Sequence, residues 1–155
     1  MKVSEASLGR VFVIRLEHGD RMPEAVEKFA LERNVLRGFC MLVGGIEDGG
    51  NIVVGPEDGN ARPVVPIPFQ LDGAHEVLGV GALFPDEGGD PKLHMHAALG
   101  RDGVTRTGCI RPGIETWQVG EVILFELYGT QACRRKDPNT GFELLEPDPY
   151  ARMCH

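Results

Sequence analysis

The sequence has no apolar run approaching the roughly 18 residues that a membrane-spanning helix needs. It also lacks the C-x-x-C spacing of a zinc knuckle or redox motif: its four cysteines, Cys40, Cys109, Cys133 and Cys154, are scattered. Basic residues are outnumbered, with 16 Lys and Arg against 23 Asp and Glu, for a formal net charge of −7. That balance disfavours binding to phosphate backbones, where Lys and Arg supply most of the affinity. The tightest basic cluster, Arg134-Arg135-Lys136 beside Asp137, reads as a solvated face. Internal repeats, low-complexity tracts and linkers are absent as well. The N-terminus, Met1-Lys2-Val3-Ser4-Glu5, is too polar and acidic to begin a secretory signal. A cytoplasmic protein with free thiols is therefore expected.

What is abundant is glycine (21) and proline (11), together about a fifth of 155 residues. That composition favours short elements joined by turns, and the length fits one domain. A strand is expected over Arg10–Leu16. A helix follows from about Met22 to Arg33, with Asp20 as N-cap, Pro23 in its first turn and Val26, Phe29 and Ala30 forming one apolar stripe. Further strands are read within Val35–Ile46, Asn51–Gly55, Phe69–Leu71, His75–Phe84, Lys92–Gly100, Thr105–Ile110, Ile114–Trp117, Glu121–Gly129 and Phe142–Leu145. The stretch from Pro56 to Pro68 is loop or edge strand. One helix against many strands predicts a single compact α+β domain over 1–147 with an antiparallel or mixed sheet, followed by a disordered tail over 148–155.

The chemistry concentrates in Leu93-His94-Met95-His96-Ala97-Ala98-Leu99. Successive side chains of a strand point to opposite faces, so Leu93, Met95, Ala97 and Leu99 share an apolar face while His94 and His96 share the other. Asp-Gly is the preferred pair for a two-residue type I′ hairpin turn. With Asp102-Gly103 as that turn, Arg101 pairs with Val104 and His96 falls directly opposite Cys109, with Met95 opposite Ile110 on the apolar face. Two imidazoles and a thiolate form a three-ligand set that suits zinc and leaves a fourth position open. Copper or iron would also accept these donors. Two histidines on a polar strand face with a small cysteine opposite need no metal, so the composition of the set alone does not decide. His75-Glu76, Asp72 and Glu115 are candidates for a base or an outer carboxylate, and each also reads as ordinary surface. Cys40 sits in an apolar run and reads as a core thiol. Neither His18 nor His155 is given a role.

Several segments together resemble a known family. They are Gly9-Arg10-Val11-Phe12-Val13-Ile14-Arg15-Leu16, the helix after it, Gly73-x-His75-Glu76-Val77-Leu78, Leu93-His94-Met95-His96-Ala97-x-Leu99-Gly100 and Thr107-Gly108-Cys109-Ile110. In order and spacing they resemble the plants and prokaryotes conserved (PPC) domain, over about Gly9 to Leu145. The resemblance implies a compact α+β fold with one main helix, assembling as a homotrimer. It also implies zinc binding by an H-x-H strand followed by a Gly-Gly-His-Leu stretch. His94 and His96 match the first part, whereas Cys109 stands in the third histidine's place. The plant relatives are fused to AT-hook segments of the Arg-Gly-Arg-Pro type, which this sequence lacks. Two functional readings follow. One is a metal-binding homotrimer that acts on or senses a small molecule at an open metal position, with Glu76 nominated as base. The other is a DNA-associated or protein-interaction module whose metal is structural. Whether a reaction is catalysed stays open at this level.

Overall fold

In the computed structural model, residues 1–147 are described; the tail expected over 148–155 lies outside the described residues. The chain runs β1 (Ser7–Glu17), β2 (Arg21–Met22), α1 (Glu24–Glu32), β3 (Gly38–Ile46), β4 (Asn51–Pro56), β5 (Pro66–Gln70), β6 (His75–Pro85), β7 (Pro91–Arg101), β8 (Val104–Cys109), β9 (Ile114–Tyr128), β10 (Cys133–Lys136) and β11 (Glu143–Glu146). The expected α+β class holds. A sheet ordered β1-β9-β3-β6-β7-β8-β4-β5 carries β2 against β9, and β10 and β11 form a separate hairpin. Its ladders are antiparallel.

The alternating pattern of the sequence becomes an inside and an outside. Leu16 of β1, Leu124 of β9, Leu42 of β3, Leu83 of β6, Met95 of β7 and Ile52 of β4 meet in one core with Val26 and Ala30 of α1. Strands from both halves of the sheet share this core, so the sheet must bend around it. Truncating a core leucine such as Leu42 or Leu124 to alanine costs about 2–5 kcal/mol. The opposite face is apolar too, but exposed. Val11 and Val13 of β1, Phe39 and Met41 of β3, and Val80 of β6 stand on it in cross-strand rows.

Two expectations need correction. Asp20 does not cap the helix: the pairing of Arg21 and Met22 with β9 delays the helix, and Pro23 takes the cap position without a side-chain bond. The Asp20 carboxylate instead accepts the Glu17 N–H at 2.8 Å, closing the turn between β1 and β2. The strands expected at Ile114–Trp117 and Glu121–Gly129 are one strand, β9, which crosses a bulge. Against β3, the register jumps from Gly44↔Gly120 to Gly45↔Trp117, with Gln118 at φ 63°. Gly44 has φ 139°, and a Cβ there would lie 2.3 Å from the Val119 carbonyl oxygen, so glycine is required at this kink.

One ion pair ties the far edge of the sheet to the helix. Arg10 donates through Nε and Nη2 to Glu126 at 2.6 and 2.8 Å, and through Nη2 to the Arg33 carbonyl at the helix end at 3.1 Å. Glu126 is buried, and the Arg10 hydrogen bonds hold its carboxyl down to about 2 from an ordinary 4.5. A depressed carboxyl adds stability that is complete above about pH 4.5 and lost as pH falls towards 2. Melting temperatures measured across that window should fall less steeply in Arg10→Met than in the wild type. Equal slopes would mean that the pair does not carry the effect.

Candidate metal centre

The Asp102-Gly103 turn has the geometry that its sequence predicts. Both residues have positive φ, 50° and 75°, as a type I′ turn demands. Arg101 pairs with Val104, and the ladder runs without a shift to His96 opposite Cys109. Beyond it, the Ile110 N–H still donates to the Met95 carbonyl at 3.2 Å. Close approach of β4 to β8 depends on Gly108, where a Cβ would meet the Val53 carbonyl oxygen at 2.5 Å. Leu93, Met95, Ala97 and Leu99 are buried, while His94 and His96 are on the exposed face.

The three side chains converge. One ligand atom from each of His94, His96 and Cys109 lies within 4.8 Å of the others, and the two Nε2 atoms are 3.2 Å apart. Two imidazole nitrogens sharing one tetrahedral zinc at 2.0–2.1 Å stand about 3.3 Å apart. The donor set thus suits zinc in chemistry, and its two imidazole nitrogens have the spacing of ligands to one ion, with the thiol within 4.8 Å of them. Without a metal, one ring can donate its N–H to the other's bare nitrogen at the same distance. Cys109 is mostly buried between the two strands that flank it.

Beside the histidines lies a cleft of about 280 Å³, lined among others by Glu27, Lys92, His94, Arg111 and Arg134. The ring of His94 forms part of its wall. Loss of hydration, then the charge of Arg134, the neighbouring His96 and the charge of Arg111 push the His94 pKa down to about 4. A neutral imidazole is the form that binds metals. Arg134 corrects the sequence reading: it is buried, not solvated, because β10 folds back across the ends of β6 and β7. Its Nη2 donates to the Ala82 carbonyl at 2.8 Å and its Nε to the Lys92 carbonyl at 3.4 Å. Glu27 enters for a related reason. β8 stops short of Leu93, and Glu27 accepts the N–H left open there at 2.8 Å.

Other nominated residues stay apart from this centre. Glu76 shares the face of His96 but pairs with Gly100, four residues along β7, which is about 13 Å away. It therefore does not reach the cluster as a base. His75 is buried, with Nδ1 2.8 Å from the Gly73 carbonyl, instead of forming a surface pair with Glu76. Asp72 is exposed, and Glu115 lies 3.9 Å from Arg21. His18 lies 3.9 Å from Glu47. Cys40 is a core thiol as expected, and burial raises its pKa to about 12. His155 lies outside the described residues.

A family model described as the Plants and Prokaryotes Conserved (PCC) domain matches residues 3–128. The chain belongs to this family. The match covers the sheet from β1 to β9, including His94, His96 and Cys109. Among solved structures, the fold is similar to a metal-containing protein of Archaeoglobus fulgidus, with TM-score 0.81 and 23% identity, covering 94% of this chain and 99% of that one. It is similar also to a plant- and prokaryote-conserved protein of Pyrococcus horikoshii, with TM-score 0.78, 22% identity and coverage of 93% and 99%. A candidate DNA-binding protein of Bacteroides thetaiotaomicron follows, with TM-score 0.72, 18% identity and coverage of 92% and 97%. At these identities the likeness establishes the PCC fold alone. The bifunctional protein GlmU of a Synechococcus strain is 25% identical over 144 residues, 92% of this chain. The PCC chain spans about a fifth of the length of that curated relative.

Proton titration gives a direct check on the cleft's charges. In metal-free protein, the His94 ring followed by NMR should titrate near 4, and Arg111→Ala should move it upwards by removing a like charge. A His94 that titrates at the ordinary 6.5 in the wild type would contradict this electrostatic picture.

Proposed function

We propose that this PCC protein is a homotrimer that binds a metal ion, zinc being the best match, through His94, His96 and Cys109, and that it acts on or senses a small molecule there. The observation that carries the reading is the spacing of the cluster, with the imidazole nitrogens 3.2 Å apart on a strand whose register is pinned by its turn. Zinc held by three protein ligands supplies a Lewis acid with one position for an exogenous group. The chain's own residues do the rest. β7 and β8 fix the three donors, the arginine charges and desolvation keep His94 unprotonated, and the cleft beside His94 gives a small molecule access.

The arrangement favours this over a purely structural metal. Closed structural sites take four protein ligands, whereas among the described residues the cluster offers three, and its two histidines are exposed. Duplex DNA as a partner is the weaker alternative, since the chain carries a net charge of −7 and its most concentrated basic stretch loses Arg134 to the interior. The trimer draws support from the exposed apolar rows of β1, β3 and β6, a surface of the kind that protein contacts cover. The same face runs on through Val80 to His96, which would set the metal beside the subunit contact.

Tag-free protein should carry about one zinc per chain by elemental analysis. His94→Ala and Cys109→Ala should each weaken binding by more than about 100-fold, because losing only an outer partner of a ligand costs 10–100-fold. Protein without zinc that fails to take it up, or unchanged uptake in these variants, would sink the reading. Light scattering should give three times the chain mass of 16.9 kDa, and Val13→Asp on the apolar face should lower it. A monomeric mass for the wild type would remove the trimer from the account.

A further inference from the structure

Arg134 is a buried charge without an ion pair among the described residues. Its two hydrogen bonds are to backbone carbonyls, which fix the plane of the guanidinium but do not neutralise it. Nη1 has no acceptor among the described residues and is not enclosed, so it remains open to a ligand or water. A cation taken out of water without a counter-charge is unfavourable, so such groups are kept where an anion completes them. Arg111, an exposed residue, lines the same cleft, and no hydrogen bond or ion pair of its guanidinium is found among the described residues. Two like charges therefore face one small space, and each is close enough to act on His94.

The carboxylates of the cleft do not fill this need. Glu24 is held by Arg21 at 3.1 Å, and Glu27 by the Leu93 N–H at 2.8 Å. Glu143 is exposed, and its charge and that of Glu27 both reach Arg134 without an ion pair among the described residues. With Glu24 paired to Arg21, the cleft wall sets Lys92, Arg111 and Arg134 against Glu27 and Glu143, so its charge is positive on balance. Planar guanidinium forks match carboxylate and phosphate oxygens in two-bond geometry. A volume of about 280 Å³ lies below the usual range for drug-sized ligands, so the occupant is a small acid or monophosphate and not a polymer.

We propose that Arg111 and Arg134 form an oxyanion subsite that holds the carboxylate or phosphate of a small molecule, whose other end reaches the His94, His96 and Cys109 cluster. That reach rests on the metal reading above, whereas the anion subsite stands on the two arginines and their cleft.

Isothermal titration of inorganic phosphate and, separately, of malonate into the full chain tests it, with zinc measured on the same samples. At least one probe should bind saturably, and the better one identifies the class of anion. Arg111→Ala should weaken binding at least about tenfold with zinc content unchanged, as expected for losing a charged hydrogen bond. Arg134→Lys, which keeps the charge but loses the fork and its two carbonyl bonds, should also weaken it, measured at a temperature where the variant is still folded. Failure of both probes to bind, or equal affinity in Arg111→Ala, overturns the subsite. Anion binding that is lost in His96→Ala and kept in Arg111→Ala overturns it too, because the anion then sits on the metal. Arg111-dependent binding to a protein that takes up no zinc upholds the subsite and defeats the metal reading alone.

Discussion

The pairing of His96 with Cys109 depends on two residues that touch neither. Asp102 and Gly103 both adopt positive φ, and the tight turn they form fixes which residues of β7 and β8 stand opposite each other. Because side chains alternate along a strand, a slip of one residue would send the histidines into the core and the leucines out to water. The buried row of Leu93, Met95, Ala97 and Leu99 resists that slip through the hydrophobic effect, and the turn resists it through backbone geometry. The cluster is thus held by the same forces that hold the sheet.

This is why so much of the centre can be read from the sequence. The alternation of Lys92 to Gly100 and the Asp-Gly pair are local signals, and together they specify a contact across 13 residues. The family resemblance marks the same three positions, and the matched family model covers them. The helix stripe of Val26 and Ala30 and the core thiol of Cys40 are legible for similar reasons. What local pattern misses is equally specific. Asp20 looks like a cap until Arg21 and Met22 are claimed by β9. The single strand β9 looks like two because its bulge places polar and glycine residues in mid-strand. Arg134 looks solvated because its burial is decided by carbonyls 42 and 52 residues away.

The charge on the cleft follows from that last contact. Beyond the loss of hydration, a guanidinium anchored to the backbone of β6 and β7 acts on His94, as do the charges of His96 and Arg111. The result is an imidazole kept neutral by burial and by nearby positive charge, in a chain that is acidic overall. Local field and net charge point in opposite directions, and it is the local field that a ligand in the cleft would meet.

The claim that the thiol joins the two imidazoles around one ion has a direct spectroscopic test. Cobalt(II) substituted into the protein should give an intense near-ultraviolet thiolate-to-metal absorption, and Cys109→Ser should abolish it while His94 and His96 still hold the ion weakly. A cobalt spectrum without sulfur absorption, or one unchanged in Cys109→Ser, would contradict the account.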